Sequence, residues 1–393
     1  MYANHNKCRA CSGADLTCVA DFGLRPLAND FKRYGDDHAG FAPLKVLLCE
    51  RCKLAQLSVV VDPRILYKDY PYVTSNTDTM QKHFEIIYRQ IIEHFKGVPS
   101  SILEIGSNDG TCLRFFRDKG IKLVMGIEPD KDLATQACNN GIPTTVAFWP
   151  HFFSDVKYDV IMARHVFCHV DDWHGFINRA SQLMKEDSIL WIEAPYVQSL
   201  LDSIQVDTIY HEHLSYLNLE SISCLLDGSD LILSDVLHYN LHGGCVGLAI
   251  RKRDHHPAFK CPDEGLTKER WRNCVSASEL TTENLISKCR YLVGGGATIC
   301  GYGASAKSSF WVQSCGFTKK QIKFICDDTK RKQNCVSPGT DIPIVAEEML
   351  IEQQPNYAIC FAWNFMDEIK RRQAAYIGKG GKFIVPIPKV EII

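Results

Sequence analysis

Three groups of residues in this 393-residue chain have types and spacings suited to chemistry. The first is Tyr210-His211-Glu212-His213, where phenol, imidazole and carboxylate fall in four consecutive positions. Imidazole moves protons near neutral pH, so the run suits acid–base work. Its histidines are two apart rather than four, which is not the spacing of an HExxH zinc protease. Metal ligation and a surface loop with incidental histidines are the alternatives. The second group is two CxxC pairs, Cys8-Arg-Ala-Cys11 and Cys49-Glu-Arg-Cys52. Each turn sets two thiolates about 3.5–4 Å apart, so the pairs Cys8, Cys11, Cys49 and Cys52 complete a zinc tetrahedron. Four protein thiolates leave no open coordination position, which makes the metal structural; a pair of redox dithiols is the alternative. The stretch between, Leu16 to Leu48, reads as poor in apolar periodicity and dependent on the metal for folding. The third group is the turn Gly106-Ser-Asn-Asp-Gly110 and an acid, Glu128, downstream.

The elements around that turn give it meaning. Apolar spacings of three and four predict a helix over Met80–Phe95. Ser101–Ile105 reads as a buried strand, Thr111–Lys119 as a helix, and Lys122–Ile127 as a second strand ending at Glu128. Gly106 and Gly110 let backbone approach a ligand, and an acid about 20 residues past the turn suits ribose hydroxyls. A dinucleotide turn is lean, to admit a pyrophosphate. Here Glu104 and Asp109 add carboxylates, which repel a pyrophosphate and attract a sulfonium and an ammonium. The turn therefore predicts S-adenosylmethionine (SAM) rather than NAD, with Gly106, Asn108, Asp109 and Glu128 in contact with it. Phe148, after a third strand at Thr144–Ala147, is placed to pack on adenine. Strands at Tyr158–Ala163 and Ile189–Glu193 follow, and His165 and His169 fall at a strand end where ligands bind.

Beyond His242-Gly-Gly-Cys245 and a helical stretch over 262–293, a second Gly-rich turn appears in Gly301-Tyr-Gly-Ala-Ser-Ala-Lys307. A helix N-terminus behind Gly303, Ser305 and Lys307 is a phosphate site by its dipole, or else part of a scaffolding nucleotide-type fold. The fold class is α/β in three parts. Residues 1–70 are a small zinc-binding module, 71–240 a class I SAM-methyltransferase Rossmann-like domain, and 241–393 a second Rossmann-like domain.

Net charge is −2, from 44 basic and 46 acidic residues, with no basic stripe for nucleic acid. No apolar run approaches the roughly 18–20 residues of a membrane helix, and the N-terminus lacks a signal-peptide core. A cytoplasmic location follows as the expectation. Most of the 18 cysteines, such as Cys138, Cys245 and Cys326, read as packing thiols.

The order of these parts resembles the sugar C-methyltransferase family, over essentially the whole chain. The match is carried by Tyr70-Pro-Tyr72, Glu104–Gly110, Cys168-His169, Tyr210–His213, His242-Gly-Gly244, Gly301–Lys307 and Phe361-Ala-Trp-Asn364. The resemblance implies SAM-dependent methylation at C-3′ of a nucleotide-linked 4-keto-6-deoxysugar, with structural zinc and the chain acting as a monomer. It places the base at His213, with Glu212 and Tyr210 as its hydrogen-bond partners, and puts His169 and Tyr70 at further active-site positions. It sets Tyr72, His242, Gly303, Ser305 and Lys307 on the substrate side, the last three toward a diphosphate. Some members carry Asn where this chain has His165, another position on the substrate side. An O- or N-methyltransferase, or a non-catalytic scaffold, are the competing functions.

Overall fold

The computed structural model describes residues 1–67, 78–253 and 256–393, so Tyr70 and Tyr72 lie outside the described residues. In the N-terminal part, β1 (Leu16–Pro26) pairs antiparallel with β2 (Phe41–Cys49), and β2 pairs with β3 (Ala55–Leu57). The expectation that 16–48 lacks a pattern is corrected here. Ala42, Leu44, Val46 and Leu48 are all buried on one face, the period-two signature of a strand. Leu47, an apolar residue on the other face, obscured that alternation in the sequence.

The central part begins with α1 (Asp78–Phe95), which buries Met80, Phe84, Ile87 and Ile91 against Ile102 and Trp191. Spacings of four, three and four keep these on one helical stripe, each fully buried side chain contributing about 1.5–3 kcal/mol. Then come β4 (Ser101–Ile105), α2 (Thr111–Asp118), β5 (Leu123–Glu128), β6 (Thr144–Val146), β7 (Tyr158–Arg164) and β8 (Met184–Pro195). The five strands are parallel in the order β8-β7-β4-β5-β6. Their reversal of winding at β4 and β7 opens a crevice at the carboxyl ends. β9 (Ser215–Tyr216) leaves this sheet and pairs antiparallel with β3, Tyr216 opposite Ala55. β10 (Leu231–Tyr239) and β11 (Cys245–Lys252) form a hairpin, and β11 pairs antiparallel with β8. The central sheet thus continues past residue 240, where the sequence reading ended it. Gly243 and Gly244 have φ of 95° and 114°, so His242-Gly-Gly lies in the bend between two strands of one sheet rather than at a domain start.

A long helix, α3 (Lys268–Gly294), leads to the C-terminal sheet. Its strands are β12 (Ile299–Tyr302), β13 (Ile325–Cys326), β14 (Ile344–Val345), β15 (Tyr357–Cys360), β16 (Lys382–Val385) and β17 (Glu391–Ile392), in the order β14-β13-β12-β15-β16-β17. All pairings but the last are parallel. α4 (Ala306–Cys315) follows β12. Val206, Ile209, Leu214 and Tyr216 sit in one apolar cluster with Leu44 and Val46 of the N-terminal sheet and Trp311 and Phe361 of the C-terminal unit. The histidine segment is therefore built where all three parts meet. No helix among the described residues is long and apolar enough to cross a membrane.

Candidate functional site

The turn after β4 is wound through left-handed backbone at Gly106 (φ 68°), Asn108 (54°) and Gly110 (76°). A Cβ on Gly106 would lie 2.4 Å from Val166 Cγ2, so the close approach demands glycine. Glu128 is held by two amides: Asn108 N–H donates to Oε2 and Asp130 N–H to Oε1, both at 2.9 Å. Burial pushes Glu128 up to about 7, against the pull of these amides. Asp109 accepts from the Thr111 amide at 3.1 Å and so starts α2. Phe148, expected to pack on adenine, has its ring 6.4 Å from that of Tyr67.

Glu104 departs from the expectation of a free carboxylate. Arg164 donates to its Oε1 from Nε at 3.0 Å and from Nη2 at 2.7 Å. The second oxygen, Oε2, is buried without a partner among the described residues. An orphaned buried carboxylate oxygen fits a cationic ligand and not a pyrophosphate. SAM thus suits this turn, and Glu128 would receive its ribose hydroxyls while Glu104 and Asp109 face its charged end. When bound, SAM supplies an electrophilic methyl group.

His213 stands beside His169, which follows the end of β7. Its Nδ1 is 2.8 Å from the Thr208 carbonyl, which can only accept, so Nδ1 carries the proton and Nε2 the lone pair. The Tyr210 hydroxyl lies 2.8 Å from that Nε2 and donates to it. Burial, with His169 beside it, pushes His213 well below its usual value. It is a neutral imidazole with a fixed tautomer. His169 packs on it at 5.2 Å between ring centroids, and Tyr67 stacks on His169 at 5.9 Å. Burial pushes His169 down to about 3, so it too is neutral. Rings therefore run in contact from Phe148 on the cofactor side to His213.

Glu212 does not partner His213, contrary to the resemblance. It accepts from Asn29 Nδ2 at 3.0 Å, its other oxygen is unpartnered among the described residues, and it lines a cavity of about 400 Å³ together with Phe31, Arg64 and Arg331. Residues 211–212 form a turn closed by His213 N–H on the Tyr210 carbonyl at 3.0 Å, and Glu212 and His213 take different partners. Burial pushes Glu212 up to about 7. The orienting partner that the sequence did not reveal is the Thr208 carbonyl, five residues earlier.

The structure also assembles a cluster that the sequence reading missed. Glu193, near the end of β8, is fully buried; its Oε2 is hydrogen-bonded to His83 Nε2 at 2.8 Å, and its Oε1 lies 2.9 Å from His165 Nε2 without hydrogen-bond geometry. Burial alone would raise its pKa, but the neighbouring His165 and His83 imidazoles hold it below the usual carboxylate range. His165 and His242 both have left-handed backbone, φ 54° and 52°, and their rings meet edge to face at 4.8 Å. His242 in turn packs on Phe365 of the C-terminal unit. His83 was visible only as one residue of a helix, and no spacing links it to Glu193.

Lys307 lies where α4 begins. Its Nζ donates to Asn364 Oδ1 at 3.1 Å and stands 4.2 Å over the Trp363 ring. Burial lowers its pKa and the charge of Asp207 raises it. Ser305 Oγ is buried and unpartnered among the described residues, and Gly303 (φ 86°) would set a Cβ 2.9 Å from that of Ala362. These three residues do share one corner, with a cation and a free hydroxyl.

The four N-terminal cysteines converge: Cys8 and Cys52 sulfurs are 3.4 Å apart, Cys11 and Cys49 3.5 Å, and all four lie within 4.8 Å of one another. Such crowding of buried sulfurs fits a tetrahedral zinc ion, which these residues would hold. The knuckle also positions the site. Arg9 is buried and donates to Leu57 O, Leu214 O and Asp171 Oδ1, tying the metal module to both histidine segments.

Three family models match the chain. Residues 8–67 match the family described as "Putative zinc binding domain", 80–233 "Methyltransferase domain", and 263–388 "C-methyltransferase C-terminal domain". C-methyltransferase NovU of Streptomyces niveus is 32% identical over 410 residues, covering 99% of this chain and 97% of that protein. Among solved structures, the N-methyltransferase NodS of Bradyrhizobium japonicum WM9 with S-adenosylhomocysteine is 13% identical, with a TM-score of 0.36 over 46% of this chain and 90% of that one. A SAM-dependent methyltransferase of Clostridium acetobutylicum ATCC 824 is also 13% identical, with a TM-score of 0.38 over 45% and 93%.

Proposed function

The chain belongs to the C-methyltransferase family, and from that premise we propose that it methylates C-3′ of a TDP- or GDP-linked 4-keto-6-deoxysugar, in branched deoxysugar biosynthesis. The observation that carries this reading is the neutral, tautomer-fixed His213 with Tyr210 at its Nε2. An oxygen or nitrogen acceptor brings its own lone pair. A carbon acceptor must first lose a proton, so it needs a base of this kind. The C-4 ketone acidifies the C-3 proton, and His213 Nε2 takes it. The electron pair passes into an enolate, whose oxygen Tyr210 O–H stabilises as it turns from the imidazole. C-3 then attacks the methyl carbon, and the carbon–sulfur bond pair stays on sulfur.

In this reading His169 packs on the base and excludes water from it, and Tyr70, outside the described residues, is a further active-site residue. Glu212 serves from the neighbouring cavity. His165, Tyr72 and His242 touch the sugar, and Gly303, Ser305 and Lys307 face the diphosphate. Incubation with methyl-labelled SAM and a panel of TDP- and GDP-linked 4-keto sugars tests it. Label should appear on carbon, with deuterium exchange at C-3 in heavy water. His213→Asn should reduce both transfer and exchange by about 100-fold or more. Near-normal transfer by His213→Asn would instead favour O- or N-methylation.

A further inference from the structure

The Thr208 carbonyl that fixes the base belongs to a single turn of 3-10 helix, Val206–Thr208, and that turn is gripped from the C-terminal unit. Asp207 is fully buried, and its Oδ2 accepts from two indoles at once: Trp311 Nε1 at 2.9 Å and Trp363 Nε1 at 2.8 Å. Trp311 stands on α4 and Trp363 follows β15, so the two donors come from different elements of one sheet unit. Asp207 Oδ1 is buried without a partner among the described residues, while other polar groups beside it are held. Thr208 Oγ1 donates to Gln205 O at 2.7 Å, and Gln205 Nε2 donates to Gly243 O at 2.6 Å, beside His242. A Cβ on Gly243 would meet both Gln205 and Trp363, at 2.5 and 2.9 Å, so these parts are packed without slack.

We propose that Asp207 is a positioning residue through which the C-terminal unit sets the tautomer and aim of His213. The link is one peptide long. Asp207 anchors the turn by its side chain, and the next carbonyl holds His213 Nδ1–H at 2.8 Å. The same corner holds Lys307, over the Trp363 ring, so a ligand that moves Lys307 or Trp363 also moves the anchor of the base. Substrate held by its handle in the C-terminal unit thus reaches a base already oriented by that unit. This rests on the reading of His213 as the base.

The test separates the two. Asn at 207 keeps an oxygen that can accept from both indoles, whereas Leu keeps none. Asp207→Leu should lower kcat about 100-fold with KM within about 3-fold, and Asp207→Asn should recover most of that loss. Trp363→Phe keeps the aromatic face over Lys307 but removes one donor, and should lower kcat about 3- to 10-fold. Side-chain 15N shifts of His213, identified by their absence in His213→Asn, read the tautomer without turnover. They should report Nδ1–H in the wild type and Asp207→Asn, and a mixture of tautomers in Asp207→Leu. Thermal melts and SAM binding confirm that each variant is folded. Unchanged His213 shifts in folded Asp207→Leu overturn the proposal. Altered shifts there, with turnover intact in His213→Asn, leave the positioning role standing and remove the base assignment instead.

Discussion

Two Gly-rich turns in this chain are built alike and charged differently. In the central sheet the acid ending the next strand, Glu128, accepts the Asn108 amide at 2.9 Å. In the C-terminal sheet Asp327, which directly follows β13, accepts the Ala304 amide at 2.7 Å. Both turns also use positive-φ glycine where a Cβ would clash, at Gly106 and Gly303. What surrounds them differs. The first turn carries Glu104, Asp109 and Glu128; Arg164 pairs with one Glu104 oxygen, and the other is orphaned among the described residues. The second carries Lys307, an orphaned hydroxyl at Ser305, and an indole roof. A backbone device for approaching a ligand is thus common property, and side-chain charge decides what approaches. One turn suits a cation, and the other an anionic or polar handle.

The largest effect that can break this comparison is steric. Gly106→Ala drives a Cβ into Val166 and strains a left-handed residue, so SAM affinity should fall about 100-fold or more. Gly303→Ala meets Ala362 and should cost about 1–3 kcal/mol of stability, while SAM affinity stays within about 2-fold. Calorimetric titration with SAM, alongside thermal melts, reads both. Equal losses of SAM affinity in the two variants would mean that the turns do not serve separate ligands.

A smaller effect sharpens the charge contrast. Lys307→Met keeps the side chain's length over Trp363 and removes its cation. KM for a diphosphate-linked sugar should rise about 10-fold, the cost of one charge-assisted contact of about 1.4 kcal/mol, with SAM affinity unchanged. Steady-state kinetics at saturating SAM measures it. An unchanged KM would place the handle elsewhere, with the cavity beside Glu212 and Arg331 the first place to look.

Much of this contrast was legible in the sequence, because both turns are local. Gly106–Gly110, Glu128 and Gly301–Lys307 reveal themselves by spacing, as do the four cysteines, since the chemistry depends on neighbours a few residues apart. The supports were not legible. Glu193 gathers His83 from α1 and His165 from the end of β7, and pairing across 110 residues leaves no spacing to read. Asp207 belongs to no motif, and its meaning comes from two indoles more than 100 residues away. Glu212 was misassigned for a related reason. Adjacency in sequence suggested partnership with His213, but the chain turns at residues 211–212 and the two side chains find different partners, Asn29 and Tyr210. The boundary at 240 failed because His242-Gly-Gly looks like a domain junction until β11 is seen beside β8.

The smallest effect concerns protons at the first turn. Burial raises Glu128 to about 7, above the usual carboxylate range. Without ligand, the folded chain therefore holds a proton that the unfolded chain has already released. Folding stability from this group is highest below the unfolded pKa of 4.5 and declines as pH rises from there to about 7, where the loss is complete. SAM reverses the preference, because its ribose hydroxyls and cationic end favour the ionised form. SAM affinity should accordingly tighten between pH 6 and 8, by less than about 10-fold. Glu128→Gln should bind more weakly at pH 8 and show a flatter profile. At the second turn the handle meets Lys307, so KM for the sugar nucleotide should not follow the Glu128 profile. Parallel profiles for the two ligands would show that one ionisation governs both turns, and the contrast between them would lose its electrostatic basis.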